Sequence, residues 1–272
     1  MNTNEQEITV NAENILDVDC WGELREFTDA RIALGRTGYS VPTSEYLKFS
    51  LAHAMARDSI HTPFDRDMVA AKLDKIGLSS VKVESSASNR SIYLTRPDLG
   101  RRLSEESRDR LKEMSDKDTD VLLVIGDGLS SKAVHKQAVP LVQHLLPYLN
   151  ELNLTLGPVI LAKQSRVALA DDIAEIMHCK LVVILIGERP GLSSPDSLGV
   201  YMTYKPYWGR LESERNCISN IRPAGLSYSR AAFKLAWLIE AAFSMHKSGT
   251  ALKDQSDDPS CYRLLKPHQN LE

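Results

Sequence analysis

The chain has 272 residues, a formal net charge of -3, 43% hydrophobic residues and 25% charged residues. This composition is ordinary for a soluble globular protein, and the length suffices for one large domain or two small ones. The slightly acidic balance excludes the basic footprint of a nucleic-acid-binding protein. No apolar run approaches the roughly 20 residues that span a bilayer, so no membrane partner is expected. Four scattered cysteines and a start without signal-peptide features predict a cytoplasmic protein with free thiols.

The first part of the chain predicts helices. Residues 1–16 are polar and predict a flexible tail, and residues 17–118 predict a smaller, mainly helical N-terminal domain. Two short segments, Val81–Glu84 and Ile92–Thr95, predict strands. The predicted helices run from Trp21 to Leu34, from Pro42 to Met55, from Asp65 to Ile76 and from Leu99 to Met114.

The second part changes to alternating strands and helices. Residues 119–250 predict a Rossmann-like domain with a parallel sheet, and residues 251–272 predict a polar C-terminal tail. The fold class is therefore α/β. The predicted strands are Val121–Ile125, Pro158–Leu161, Leu181–Ile186 and an added strand, Val200–Tyr204. The predicted helices are Ser130–Leu149, Ala168–His178 and Tyr228–His246.

Two glycine-containing segments follow buried strands, where ligands of open α/β sheets bind. Gly126–Ser130 lacks the spacing of a dinucleotide or P-loop motif, and an ordinary capped turn is as good an interpretation as a ligand loop. Gly187–Gly191 places Glu188 and Arg189 beyond the strand, where a carboxylate could accept hydrogen bonds from amides or hydroxyls. A rigid turn with solvated charges is the alternative for that segment.

Cys217 lies in the polar stretch Glu214–Ile221. A catalytic thiolate needs a base partner, and none of the seven histidines stands at a motif spacing from it. A ligand-pocket wall or simple burial is the preferred interpretation. The adjacent pair His178 and Cys179 lacks further ligands at zinc spacing, so we expect no metal site. Arg96 follows a predicted strand and could reach the sheet or a subunit contact.

Several segments taken together resemble the small (light) subunit of ethanolamine ammonia-lyase. They occur in the family's order and cover nearly all of residues 17–247. They are Ala30–Gly38, Ile92–Leu103 (IYLTRPDLGRRL), Gly126–Ser130, Ser165–Val167, Val183–Leu192 (VILIGERPGL) and Arg215–Ile221 (RNCISNI).

The resemblance implies a role in holding adenosylcobalamin. In this family a Rossmann-like domain covers the cofactor against a TIM-barrel large subunit, and the complex converts ethanolamine to acetaldehyde and ammonia by radical chemistry. Carried over by position, the cobalamin contacts fall on Val167, Glu188 and Cys217. No DxHxxG motif is present, so the resemblance implies neither a cobalt ligand nor a catalytic residue in this chain.

The resemblance also implies a hetero-oligomer with the large subunit and no activity of this chain alone. Some family members are packaged in a bacterial microcompartment through a longer N-terminus. That segment looks shorter here, and packaging stays open. The alternative function from the residues alone is a self-contained nucleotide-binding or hydrolytic α/β enzyme that uses the loop at Gly126–Gly128.

Overall fold

The computed structural model describes residues 16–17, 19–114 and 119–261. These residues form two compact units. The first ends at Arg57 and includes Gly191–Ser193, and the second contains the described residues of Asp58–Pro190 and those from Ser194 onward. Residues 1–15 of the predicted N-terminal tail and residues 262–272 of the predicted C-terminal tail lie outside the described residues.

The first unit contains little regular structure before its helix. Asp17 and Arg36 pair through two backbone hydrogen bonds of 2.8 and 3.0 Å, and Gly22–Phe27 forms a short 3-10 helix. Helix α1, Thr43–His61, begins here. The long helix predicted between Trp21 and Leu34 is wrong, since only the 3-10 segment is helical and none of its residues is buried.

The second unit is built on a six-stranded sheet with the order β1-β3-β2-β4-β5-β6. The strands are β1 (Ser80–Glu84), β2 (Thr119–Gly126), β3 (Val159–Lys163), β4 (Cys179–Gly187), β5 (Leu198–Tyr204) and β6 (Asn216–Ile221). The first four in spatial order run parallel, β5 is antiparallel to β4, and β6 is antiparallel to β5. The sheet is therefore mixed, not wholly parallel as expected, because β5 returns from β4 without a crossover helix.

The helices of the second unit follow from caps and apolar faces. Asp65 caps α2 by accepting the backbone N–H of Met68 at 2.9 Å, and Ser227 caps α8. The helices are α2 (Arg66–Asp74), α3 (Arg90–Thr95), α4 (Glu105–Met114), α5 (Ser131–Ala133), α6 (Val139–Glu151), α7 (Leu169–Ile176) and α8 (Tyr228–Met245). A π-helical turn, Val134–Ala138, joins α5 to α6. Among the described residues, no helix is long and apolar enough to cross a membrane.

The sheet is buried on both faces, and the two faces have different covers. Alternate residues of β2 illustrate this, since Leu123 packs with α6 and α8, whereas Leu122 packs with α4 and α7. The burial of both faces explains why the central strands are continuous apolar runs. We call the sheet face that α7 covers the α7 face.

The segment Ile92–Thr95 is predicted as a strand but is helical. The Asn89 side chain accepts the backbone N–H of Ile92 at 3.0 Å and begins α3. Ile92 and Thr95 favour strands by propensity, but the cap and the burial of Tyr93 outweigh that preference. The strand predicted at Val81–Glu84 is confirmed as β1, which pairs with β3.

Candidate functional site

The loop after β2 packs closely against the end of β4 and forms hydrogen bonds within the protein. Gly128 has φ +55°, and a Cβ on it would lie 2.2 Å from the Gly187 carbonyl oxygen. The Leu129 N–H donates to that same carbonyl at 2.9 Å, and the Ser130 hydroxyl accepts the Ala133 N–H at 3.2 Å. The Leu129 and Ala133 N–H groups are thus occupied within the fold and are not available to a phosphate. The capped turn is the interpretation of Gly126–Ser130 that the geometry favours.

Asp127 in this loop positions the loop after β3. Its buried carboxylate accepts the backbone N–H groups of Gln164 and Ser165 at 2.9 and 2.8 Å. Burial raises the pKa of Asp127, while these two donors and Arg90 at 3.6 Å oppose the rise. The contacts connect the ends of two neighbouring strands and fix the backbone that leads to Val167.

A buried tyrosine holds the same loop from the other side. The Tyr93 hydroxyl donates to the Ser165 carbonyl at 3.0 Å, and its ring lies between two guanidinium groups. The Arg166 and Arg90 guanidinium carbons are 4.3 and 4.7 Å from the ring centroid. Val167 follows Arg166 at the entrance to α7 and packs, half-buried, against the apolar cluster of the α7 face.

Glu188 is the first residue beyond β4, and its carboxylate has two kinds of oxygen. The Ser197 hydroxyl and the Asn220 N–H both donate to Oε2, the second at 3.2 Å. Oε1 lies over Gly199, where an added Cβ would be 3.0 Å away. Among the described residues no donor reaches Oε1. The side chain is thus held through one oxygen and offers the other as an acceptor.

Cys217 and Tyr201 face each other across β5 and β6. They are register partners, and their side chains hydrogen-bond to each other. Cys217 is exposed as a residue, yet partial burial of its thiol raises the pKa of that group; the Tyr201 hydroxyl opposes the rise, and the negative charge of Glu188 adds to it. Desolvation, Cys217 and Glu188 raise the pKa of Tyr201 to about 12. A neutral thiol is the opposite of what a nucleophilic cysteine needs.

The structure therefore brings Glu188 and Cys217 together around Tyr201. Val167 and Tyr201 both pack against the apolar cluster of the α7 face. Sequence reasoning missed Tyr201 and Gly199. The alternation in β5 was a usable signal, because Val200 and Met202 are core residues and their neighbours Gly199 and Tyr201 must lie on the opposite face.

A buried ion pair connects α7 to Arg215, the residue that immediately precedes β6. Arg215 donates to Asp171, and both side chains are only 2% exposed. Burial raises the pKa of Asp171 to about 6, against the opposing charge of Arg215. The pair joins the helix that follows Val167 to the strand that carries Cys217, so the two segments cannot separate without exposing a buried charge.

An open cavity of about 660 Å³ lies beside these residues in the second unit. Ala168, the neighbour of Val167, forms part of its wall, and the charge of Glu212 in the same wall reaches Tyr201. A ligand beside Val167 could extend into this cavity. The cavity is lined by Pro97, Asp98, Arg101, Arg102, Ala168, Trp208, Gly209, Arg210, Leu211 and Glu212.

The arrangement offers groups that can bind a ligand. It offers a carboxylate oxygen, an apolar side chain and a neutral thiol. Among the described residues, no three His, Cys, Asp or Glu side chains are grouped so that they could share a metal ion. Such a set suits a ligand with an apolar surface and amide N–H groups.

Comparison with known proteins gives one consistent result. Residues 18–253 match the family model of the ethanolamine ammonia-lyase light chain. The ethanolamine ammonia-lyase small subunit of Rhodopseudomonas palustris (strain BisA53) is 51% identical over 234 residues, 86% of this chain and 90% of that protein. The small subunit of Xanthomonas campestris pv. campestris (strain B100) is 48% identical over 244 residues, covering 89% and 90%. That of Pseudomonas fluorescens (strain SBW25) is 49% identical over 249 residues, covering 88% and 90%.

Proposed function

Because the chain belongs to the ethanolamine ammonia-lyase light chain family, we propose that it is the small subunit of an adenosylcobalamin-dependent ethanolamine ammonia-lyase. In this proposal it helps hold the cobalamin at the interface with the large subunit. The complex converts ethanolamine to acetaldehyde and ammonia. The cofactor, when bound, supplies the radical chemistry, and this chain supplies binding and orientation.

The observation that carries the cofactor role is the geometry of Glu188. Its Oε2 is engaged by Ser197 and Asn220, and its Oε1 is left to accept a hydrogen bond. A corrin carries amide side chains on its rim, and an amide N–H is the donor that such an oxygen accepts. The residues present therefore fit the rim of the cofactor.

Val167 and Cys217 suit the macrocycle between those amides. Val167 is apolar and half-buried, and Cys217 is exposed and has a neutral, polarisable thiol. None of the three residues has to transfer a proton. The parallel strands β1 to β4 with helices on both faces support a Rossmann-like scaffold, extended beyond β4 by the antiparallel pairing of β5 and β6.

The first unit supports a role as a subunit. Trp21, Phe27 and Tyr46 are 64%, 84% and 63% exposed, although large apolar side chains are usually buried. Exposed apolar side chains in such numbers are typical of protein–protein interfaces. We assign them to contacts with the large subunit. The further members of this exposed set are Leu16, Leu24, Ile32, Tyr39, Val41, Leu47, Phe49, Leu51 and Met55.

Reconstitution tests the proposed function. The purified chain, the large subunit and their mixture are each assayed with adenosylcobalamin and ethanolamine for acetaldehyde and ammonia. Activity is expected in the mixture alone. A mixture of well-folded chains that remains inactive, while the same large subunit is active with the small subunit of a relative, would contradict the proposal.

A further inference from the structure

Three arginines line the 660 Å³ cavity, and they differ in whether a carboxylate of the protein pairs with them. Arg101 lies 3.9 Å from the Glu212 carboxylate. Arg210 bonds Glu214 and the backbone carbonyls of Tyr204 and Lys205. The charges of these two arginines are already used within the fold.

Arg102 is different. Its guanidinium carbon lies 4.5 Å from the centroid of the Trp208 ring, and among the described residues no carboxylate pairs with it. The side chain is exposed. Arg102 and Trp208 also line a neighbouring cavity of about 340 Å³, so the pair borders both cavities. Stacking fixes the guanidinium plane and leaves its edge N–H groups available to an anion.

We propose that Arg102, stacked on Trp208, binds the phosphodiester of the nucleotide that cobalamin carries. A guanidinium fork matches two phosphate oxygens, and an unpaired arginine keeps its charge for that purpose. Ala168, which lines this cavity, is the sequence neighbour of Val167, and in this proposal one ligand spans both positions. The inference rests on the proposed cofactor role, and it adds an anion site to the amide-accepting oxygen of Glu188.

The test compares two corrinoids on the assembled two-subunit enzyme. Cyanocobalamin carries the nucleotide and its phosphate, whereas dicyanocobinamide has the same corrin without them. Visible-absorption titrations give the ratio of the two dissociation constants for the wild type, Arg102→Gln, Arg102→Lys and the control Arg96→Gln. Arg96 lies on the same segment, is exposed and does not itself line the cavity, although its partner Asp98, at 2.7 Å, does.

Arg102→Gln is expected to weaken cyanocobalamin binding about tenfold or more and to leave dicyanocobinamide binding unchanged, since a hydrogen-bonded charge is lost only for the phosphate-bearing ligand. Arg102→Lys retains the charge but loses the fork, so its loss is smaller. Arg96→Gln leaves both constants unchanged. Added inorganic phosphate competes with cyanocobalamin and not with dicyanocobinamide.

Three results overturn the inference. If Arg102→Gln weakens both corrinoids equally, the residue acts on the fold or the corrin and not on the phosphate. If phosphate binds at Arg102 while the ratio of the two constants is unchanged, the site takes a free anion and not the cofactor. If neither corrinoid binds the wild-type complex, the proposed function fails as well, whereas intact corrinoid binding with an unchanged ratio removes only the Arg102 contact.

Discussion

Replacing Glu188 by Gln tests the acceptor role of its free oxygen. The donors Ser197 and Asn220 both reach Oε2, so the new amide oxygen must take that place to keep them. The amide NH2 then occupies the place of Oε1 over Gly199. A cofactor amide N–H that faced a carboxylate oxygen now faces another N–H donor. The ligand loses its hydrogen bond while the protein keeps its own.

The magnitude follows from the kind of bond lost. A hydrogen bond to a charged group is worth about 1.5–3 kcal/mol, so its loss should increase the dissociation constant of cobalamin roughly 10- to 150-fold. The free energy of unfolding should fall by only about 1 kcal/mol, because both internal donors keep an acceptor. The predicted effect therefore falls on binding far more than on folding.

Visible-absorption titration of the two-subunit complex with cobalamin measures the first quantity, and urea unfolding of the free chain measures the second. Glu84→Gln is the control, since it removes one carboxylate at the far edge strand, where Glu84 pairs with Arg66 at 2.8 Å. Its cobalamin affinity should equal that of the wild type. The reasoning is refuted if Glu188→Gln binds cobalamin within twofold of the control (a difference of about 0.4 kcal/mol).

Three further predictions concern the surroundings of this carboxylate. Gly199→Ala places a Cβ 3.0 Å from Oε1, so we expect about tenfold weaker cobalamin binding at nearly unchanged stability; equal affinity in the same titration would contradict this. Desolvation and the charge of Glu188 raise the pKa of the Cys217 thiol, so Glu188→Gln should lower it and speed alkylation at pH 8, with Cys20 as the internal reference. Peptide mass spectrometry gives both rates, and an unchanged ratio would mean that the charge does not reach the thiol. Gly128→Ala brings a Cβ within 2.2 Å of a backbone oxygen at φ +55°, so it should lower the free energy of unfolding by about 3 kcal/mol or more, whereas a loss below 1 kcal/mol in urea would show that the turn relaxes.

The central strands were predictable because a local run of apolar residues indicates a strand that is buried on both faces. Val121–Ile125 and Leu181–Ile186 are continuous apolar runs, and the structure buries both on two faces. The direction of β5 was not predictable, because a strand of that length returns antiparallel or crosses over according to contacts distant in sequence. The strand was expected, but its pairing with β4 and β6 required the fold.

The site was partly visible in the sequence. Glu188 beyond β4 could be placed at the sheet edge from the strand pattern alone. Its approach to Cys217 depends on the register of β5 against β6, which sets Tyr201 opposite Cys217 and includes an irregularity between Leu198 and Val200. Such a register is a long-range property, and period-2 alternation gives the face of a residue without its partner.

The apolar residues between Trp21 and Leu34 show the opposite failure. Their spacing favours a helix that buries one face, yet in the first unit they remain largely exposed around a short 3-10 turn. Helical periodicity indicates that one apolar face is buried, but it does not indicate whether the same chain or a partner chain buries it. A subunit that is completed by a partner is a case in which that inference fails.

Cobalamin binding by the separate and combined subunits tests the central claim most directly. The large subunit alone, this chain alone and their mixture are titrated with cobalamin and followed by visible absorption. We predict tight, saturable binding in the mixture, weaker binding by either chain alone, and a further loss when the mixture contains Glu188→Gln. Binding by the large subunit alone that is as tight as binding by the mixture would contradict the claim that this chain helps hold the cofactor.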